Sequence, residues 1–275
     1  MINYLFKTTL AVLIFVRNII IMEMIFLWGV AATGKILAFL SGNGGVGRSA
    51  LCAYIAAALS QQGRRVLCID CDAPKGCLEQ YLDIRQEMAL SFLDLCRGDY
   101  ALDKVFAHPR LALLRFASAP ILFDPRDLPL EDFGDLVRQA AQRFDFVLLD
   151  GGSLGSSGFR LASQFCDQAI LVTGFDGPAL LMAHRAAQSL EVMGKTNVRL
   201  IVNRAHGKLL RSFGLTVDDI MDRVGLPLLG LVPEDPAVPL SATGLSPFPG
   251  KKPAFAACSR IAMRLQGTTV PISIR

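Results

Sequence analysis

Charge is scarce at one end of this chain. Only Lys7, Arg17 and Glu23 are charged in the first 34 positions of a 275-residue sequence that holds 28 basic and 24 acidic residues. The apolar excess is therefore local, and the body reads as a soluble globular chain rather than a polytopic membrane protein. Basic clusters are missing too. No run of Lys or Arg exceeds two and the formal net charge is +4, so nucleic acid is not indicated as a partner. Cysteine is present but odd in number, at 52, 68, 71, 77, 96, 166 and 258, which suits a reducing cytosol better than a disulfide framework. The one CxxC, Cys68 to Cys71, lies on an apparent strand, where an i, i+3 pair points to opposite faces. Without a second CxxC to complete a four-sulfur site, small core cysteines are the better reading than metal or redox chemistry. Histidine is rare, and the spacing of His108, His184 and His206 suggests no metal site. Internal repeats and long linkers are lacking, and the length suits one large domain or two small ones.

What is present at the N-terminus is hydrophobic but interrupted. Apolar runs at 10–16, 19–22 and 24–30 are separated by Arg17-Asn18 and Glu23. A spanning helix wants roughly 20 apolar residues, and a charge near its middle costs about 2.5 to 3.5 kcal/mol. A signal peptide fits poorly as well, because the apolar stretch is overlong and no A-x-A site follows. Residues 1–34 are expected to lie outside the fold, as an extension read from a false start with Met22 or Met24 beginning the protein. The competing reading is an anchor giving membrane association through the N-terminus, peripheral at the inner face of the membrane.

From Lys35 onward, short apolar runs alternate with amphipathic stretches, the pattern of a parallel sheet covered by helices. Strands are expected at 36–40, 66–69, 111–116, 146–149, 169–172, 199–202 and 229–232. Several lack polar alternation, as strands buried on both faces should. Helices are expected at 49–62, 130–143, 178–193, 216–224 and 254–265, three of them closed by Gly63, Gly194 and Gly225. Thr216 and Asp219 have capping-box spacing. The fold class is α/β, a doubly wound, mostly parallel sheet flanked by helices.

The first strand runs into Gly42, Asn43, Gly44, Gly45, Val46, Gly47, Arg48, Ser49 and Ala50. This is the spacing of G-x-x-x-x-G-K-[ST], with Arg48 at the lysine position, in strand, loop, helix context. Successive backbone N–H groups can turn inward around phosphate only if no Cβ blocks them, and the helix N-terminus adds partial positive charge. Ser49 is placed to offer its hydroxyl to Mg²⁺.

At this point the chain resembles the MinD/ParA family of P-loop ATPases, whose deviant loop reads KGGxGK[ST]. Residues 66–72, VLCIDCD, look like the family's VLLIDxD strand, and 144–150, FDFVLLD, like its YDYIIID strand. Residues 201–204, IVNR, and 227–235, PLLGLVPED, match two further landmarks. The resemblance runs from about 35 to 266, leaving 267–275 as a short tail. It implies a P-loop nucleotide-binding domain with ATP and Mg²⁺ as cofactors, a nucleotide-dependent homodimer, a protein partner not identified by the sequence, and a cytoplasmic role in spatial organisation such as cell division or partition. Carried over, it implies that Asp150 holds the metal through water and that Asp72 orients the attacking water. Gly151 and Gly152 would lie near the γ-phosphate, Asn203 would read the adenine edge, and the turn from Pro233 to Asp235 would wall the base. For Asp150, Asp72 and Asn203 the plainer reading is an ordinary turn or strand-end residue.

The departures are specific. Asn43 stands where the family carries a lysine that reaches across the dimer, and Arg48 where it carries the phosphate-gripping lysine. Arginine keeps the charge but has a broader planar fork. Gly152 and Leu154 replace the proline and glycine of the second switch pattern D-x-P-x-G. The C-terminal tail, with Pro271 and β-branched residues, is a poor membrane-binding helix. These changes imply a bound nucleotide with weak or absent hydrolysis, or alternatively a non-hydrolysing scaffold with a vestigial loop. Residues 151–155, GGSLG, match G-x-S-x-G, but they coincide with the second switch, so a serine hydrolase is the weaker reading. An iron-sulfur carrier would need a paired CxxC near the C-terminus, where only Cys258 occurs.

Overall fold

A computed structural model describes residues 33–272, apart from 74–75, 85–89, 121–129, 208–211, 213, 215, 242, 244–247 and 249–251. The reading of residues 1–32 therefore lies outside the described residues. Residues 34–275 form a compact unit by themselves.

Eight strands make one sheet: β1 (Lys35–Ser41), β2 (Val66–Asp70), β3 (Phe106–Ala107), β4 (Leu114–Ala117), β5 (Phe146–Ser153), β6 (Gln168–Thr173), β7 (Val198–Ala205) and β8 (Leu228–Pro233). Their order is β3-β4-β2-β5-β1-β6-β7-β8, parallel throughout except for the β3–β4 edge pair. The helices are α1 (Arg48–Gln61), α2 (Leu78–Tyr81), α3 (Phe92–Cys96), α4 (Leu130–Arg143), α5 (Ser157–Phe165), α6 (Gly177–Val192), α7 (Val217–Val224), α8 (Ala237–Ser241) and α9 (Pro253–Leu265). This is the doubly wound α/β class read from the sequence.

The unalternating strands are apolar on both sides because the sheet has a core on each face. Along β1, Ile36, Ala38 and Leu40 join one core with Phe133 of α4 and Leu180 of α6, while Leu37 and Phe39 join the other with α1 and α9. Cys68 and Cys71 divide between the same two cores, so the CxxC is two packing residues on opposite sides of a sheet. Helix α1 is buried from Arg48 to Ser60, since it packs against both the sheet and α9.

The short elements β3, α2, α3 and α8 were not expected, and two larger differences have a clear local cause. The strand expected at 111–116 begins only at Leu114, because the Leu111 N–H donates to His108 Nδ1 (3.2 Å) and the Leu114 N–H to the Leu111 carbonyl (2.9 Å), making a turn. Helix α5 was not expected, and it starts where the Ser156 hydroxyl accepts from the Phe159 N–H at 3.0 Å. Among the described residues, no helix is long and apolar enough to cross a membrane.

Candidate functional site: a glycine-lined anion cradle

The carboxyl ends of β1, β2 and β5 meet where the order of connection diverges to either side of β1, the crevice in which open α/β sheets hold ligands. Gly45 (φ +79°) and Gly47 (φ +86°) take left-handed backbone there, and Gly47 is the N-cap of the 14-residue α1. No side chain caps α1 and its first turn carries no acidic residue, so its N–H dipoles face the cavity uncompensated. Gly42 is glycine for a different reason. A Cβ on it would come within 2.3 Å of the Met182 carbonyl in α6, so it lets the loop pack on that helix. A cavity of about 540 Å³ is lined by the loop from Gly44 to Ser49 together with Ser41, Asp72, Cys77, Tyr81, Ser153, Ser156 and Arg204, among others. A neighbouring cavity of about 340 Å³ is lined by Asn43, Gly44 to Val46, Phe175, Asp176, Arg204, His206 and Glu234, among others.

The sequence-predicted polar residues converge behind the loop. Arg48 is buried, with Nε donating to Asp150 Oδ1 at 2.5 Å and Nη2 to Asp72 Oδ2 at 2.7 Å and Ser49 Oγ at 3.3 Å. Burial works against its charge, but Asp150 and Asp72 outweigh that and raise the guanidinium pKa above its usual value. Asp150 is 0% exposed, does not line either cavity, and keeps a second oxygen, Oδ2, with no hydrogen-bond partner. In the β2–β5 register Asp70 pairs with Asp150. Burial first, and the Asp150 charge second, push the Asp70 carboxyl up to about 7. Asp70 accepts from the N–H groups of Asp72 (3.0 Å) and Leu78 (3.1 Å), which fixes the turn that carries Asp72.

Asn203 also meets the loop: its Nδ2 donates to the Val46 carbonyl at 2.8 Å and would lie 2.3 Å from a Cβ on Gly47. It braces the cradle. Gly152 (φ +91°) brings the end of β5 beside Asp72 and Ser156, and Ala50 is buried in the first turn of α1. Pro233 and Asp235 are not brought into these two cavities, though Glu234 between them lines the second. Asp235 instead accepts from the N–H groups of Ala237 (3.0 Å) and Ala254 (3.3 Å), joining α8 to α9. Sequence reasoning missed Cys77, Tyr81 and Arg204. Arg204 was within reach, being next to Asn203 in the IVNR run, and its φ of +55° is unusual for a non-glycine residue. Ser153 lines the first cavity without a histidine base: His184 Nδ1 lies 3.3 Å from the Val224 carbonyl and His206 Nε2 lies 4.0 Å from Glu234.

A magnesium ion does not fit this arrangement. It takes oxygen ligands at about 2.0 to 2.1 Å in near-octahedral geometry. Ser49 Oγ, Asp72 Oδ2 and Asp150 Oδ1 are all engaged by one guanidinium, and a dication on any of them would sit beside that positive charge.

Fold and loop together define a doubly wound α/β protein with a glycine-rich turn and a helix N-terminus at its ligand crevice. The family model described as the CobQ/CobB/MinD/ParA nucleotide binding domain matches residues 37–248, and the chain belongs to that family. Its relatives include the septum site-determining protein MinD of Synechocystis, 29% identical over 245 residues, 86% of this chain and 91% of the relative. Among solved structures, MinD in the MinC:MinD cell division complex of Aquifex aeolicus superposes with a TM-score of 0.79 at 27% identity, covering 87% of this chain and 99% of that one. The Pyrococcus horikoshii MinD complexed with Mg-ADP shares the fold, with a TM-score of 0.71 at 23% identity over 84% of this chain and 96% of that one.

Proposed function

We propose that this protein binds ATP in the cavity lined by Gly44 to Ser49 and hydrolyses it slowly or not at all. The observation that carries the reading is the uncapped N-terminus of α1 behind two left-handed glycines, a set of backbone donors suited to an anion. The β- and γ-phosphates lie in that cradle, and the second cavity, reached past Asn43 and Arg204, takes the nucleoside. Weak hydrolysis follows from Arg48 being held on Asp150 and Asp72, and from the neutral Asn43 at a position where a partner subunit's phosphates would need a cation. Loss of charge stabilisation in a transition state commonly costs factors of about 10² or more. By its relatives' roles, the protein acts in the cytoplasm as a nucleotide-dependent homodimer in spatial organisation, cell division or partition, through a protein partner.

The test is a titration of the full chain with a fluorescent ATP analogue, competed with unlabelled ATP. Saturable, competable binding is expected, and none at millimolar nucleotide removes the reading. Turnover should be barely detectable and should rise in Arg48→Lys, alone or with Asn43→Lys. Brisk turnover by the unaltered protein contradicts the assignment of weak hydrolysis.

A further inference from the structure

The conflict between Arg48 and a metal ion has a positive content. We propose that Arg48 is a tethered cation standing in for the divalent metal, so that this protein binds the polyphosphate of a nucleotide in its metal-free form. This rests on the nucleotide reading above and deepens it.

A divalent ion in a phosphate site does two things: it neutralises buried carboxylates, and it offers remaining positions to phosphate oxygen. Arg48 does the first in part, its single positive charge shared between Asp150 through Nε and Asp72 through Nη2, at 2.5 and 2.7 Å. It has the means for the second. A guanidinium carries five N–H donors. Nε supplies one, to Asp150, and Nη2 two, to Ser49 and Asp72. The two on Nη1 have no hydrogen-bond partner among the described residues, and Arg48 lines the cavity. A guanidinium held by carboxylates through two of its nitrogens, with donors unused on the third, can add a contact to phosphate oxygen.

A second cation at either carboxylate would sit beside the Arg48 charge. Asp150 Oδ2 has no partner, but it is buried and Asp150 does not line the cavity, while Asp72, which does line it, is already held through Oδ2 by the guanidinium. A metal that took Asp150 from Arg48 would break the Nε contact and leave the buried guanidinium with Asp72 as its carboxylate partner. Removing one member of a buried ion pair is costly because the other charge stays behind uncompensated. A lysine at 48 would behave differently, since a compact ammonium on a flexible stem lacks the planar fork that holds Asp72 and Asp150 through two nitrogens at once, and would leave oxygens for a metal.

The experiment uses the full-length protein, stripped with EDTA, and measures the affinity for a fluorescent ATP analogue in excess EDTA and again in millimolar Mg²⁺. The expected result is a change in Kd of less than about threefold between the two conditions. In Arg48→Lys the same comparison should show binding strengthened by Mg²⁺ about tenfold or more, with circular dichroism confirming the fold. If the lysine variant does not fold, the comparison in the unaltered protein still decides. A Kd for the unaltered protein that weakens more than threefold on metal removal overturns this inference and leaves nucleotide binding standing. An Arg48→Lys protein as indifferent to Mg²⁺ as its parent removes the role given to Arg48. Absence of binding in both conditions overturns the nucleotide reading itself.

Discussion

A buried histidine shows how one side chain's protonation ties into the fold. His108 Nε2 lies 2.8 Å from the Leu82 carbonyl, and Nδ1 accepts from the N–H groups of Arg110 (3.1 Å) and Leu111 (3.2 Å). Nδ1 must therefore stay unprotonated, and the proton sits on Nε2, donated to Leu82. Burial lowers the pKa below 6.5, and the Leu82 carbonyl opposes that only in part. Because the folded-state pKa is depressed, the stability His108 contributes is present above about pH 6.5 and is lost as pH falls through the folded value. In denaturant titrations the unaltered protein should lose stability below about pH 6.5 more steeply than His108→Gln. Parallel profiles would show that His108 does not report the acid transition. At this same scale, Arg48 was legible in sequence as a changed position but not as a locked one. The sequence supplied its identity and spacing, while its pairing with Asp150, 102 positions away, depends on three strands ending side by side. Asn203 was read from the resemblance as facing the adenine edge, whereas its amide donates to the loop carbonyl of Val46 and it lines neither cavity.

Among the elements, the connection between β1 and α1 carries two kinds of glycine. A Cβ at Gly42 would strike backbone atoms of Met182 and Ala183 at 2.3 to 2.6 Å, and helix backbone cannot step aside as a flexible side chain can. A Cβ at Gly44 would meet nothing within 4 Å. Gly42→Ala should therefore destabilise the protein by about 1 to 3 kcal/mol, as overpacking does, and Gly44→Ala by less than about 0.5 kcal/mol, both read from urea unfolding. Equal effects would mean that α6 yields to the loop. Elements with strong periodic or capping signals were legible: α4 and α7 stand close to where they were expected, and the Thr216–Asp219 capping box is formed with both bonds. Helix α5 was hidden because its first residues, Ser156 to Gly158, continue a Gly/Ser-rich loop, and only the cap on Ser156 marks the boundary. Strand β4 was drawn too early because the apolar run before it is a turn held by His108.

At the scale of the whole molecule, the two-faced core explains why so much of the architecture could be read. A parallel sheet covered on both faces needs long apolar strands with helices between them, and that pattern is written locally along the chain. What local pattern does not carry is which strand ends become neighbours. The order β2-β5-β1-β6 brings Asp70, Asp72, Asp150 and the glycine loop to one crevice, and resemblance rather than periodicity anticipated that meeting. The central claim is that this crevice holds the phosphates of a nucleotide. Hydrogen–deuterium exchange of the full chain with and without ATP tests it most directly. The account predicts slowed exchange in the peptides spanning residues 42–51, with the edge pair β3–β4 unchanged; unaltered exchange across 42–51 at saturating nucleotide would contradict it.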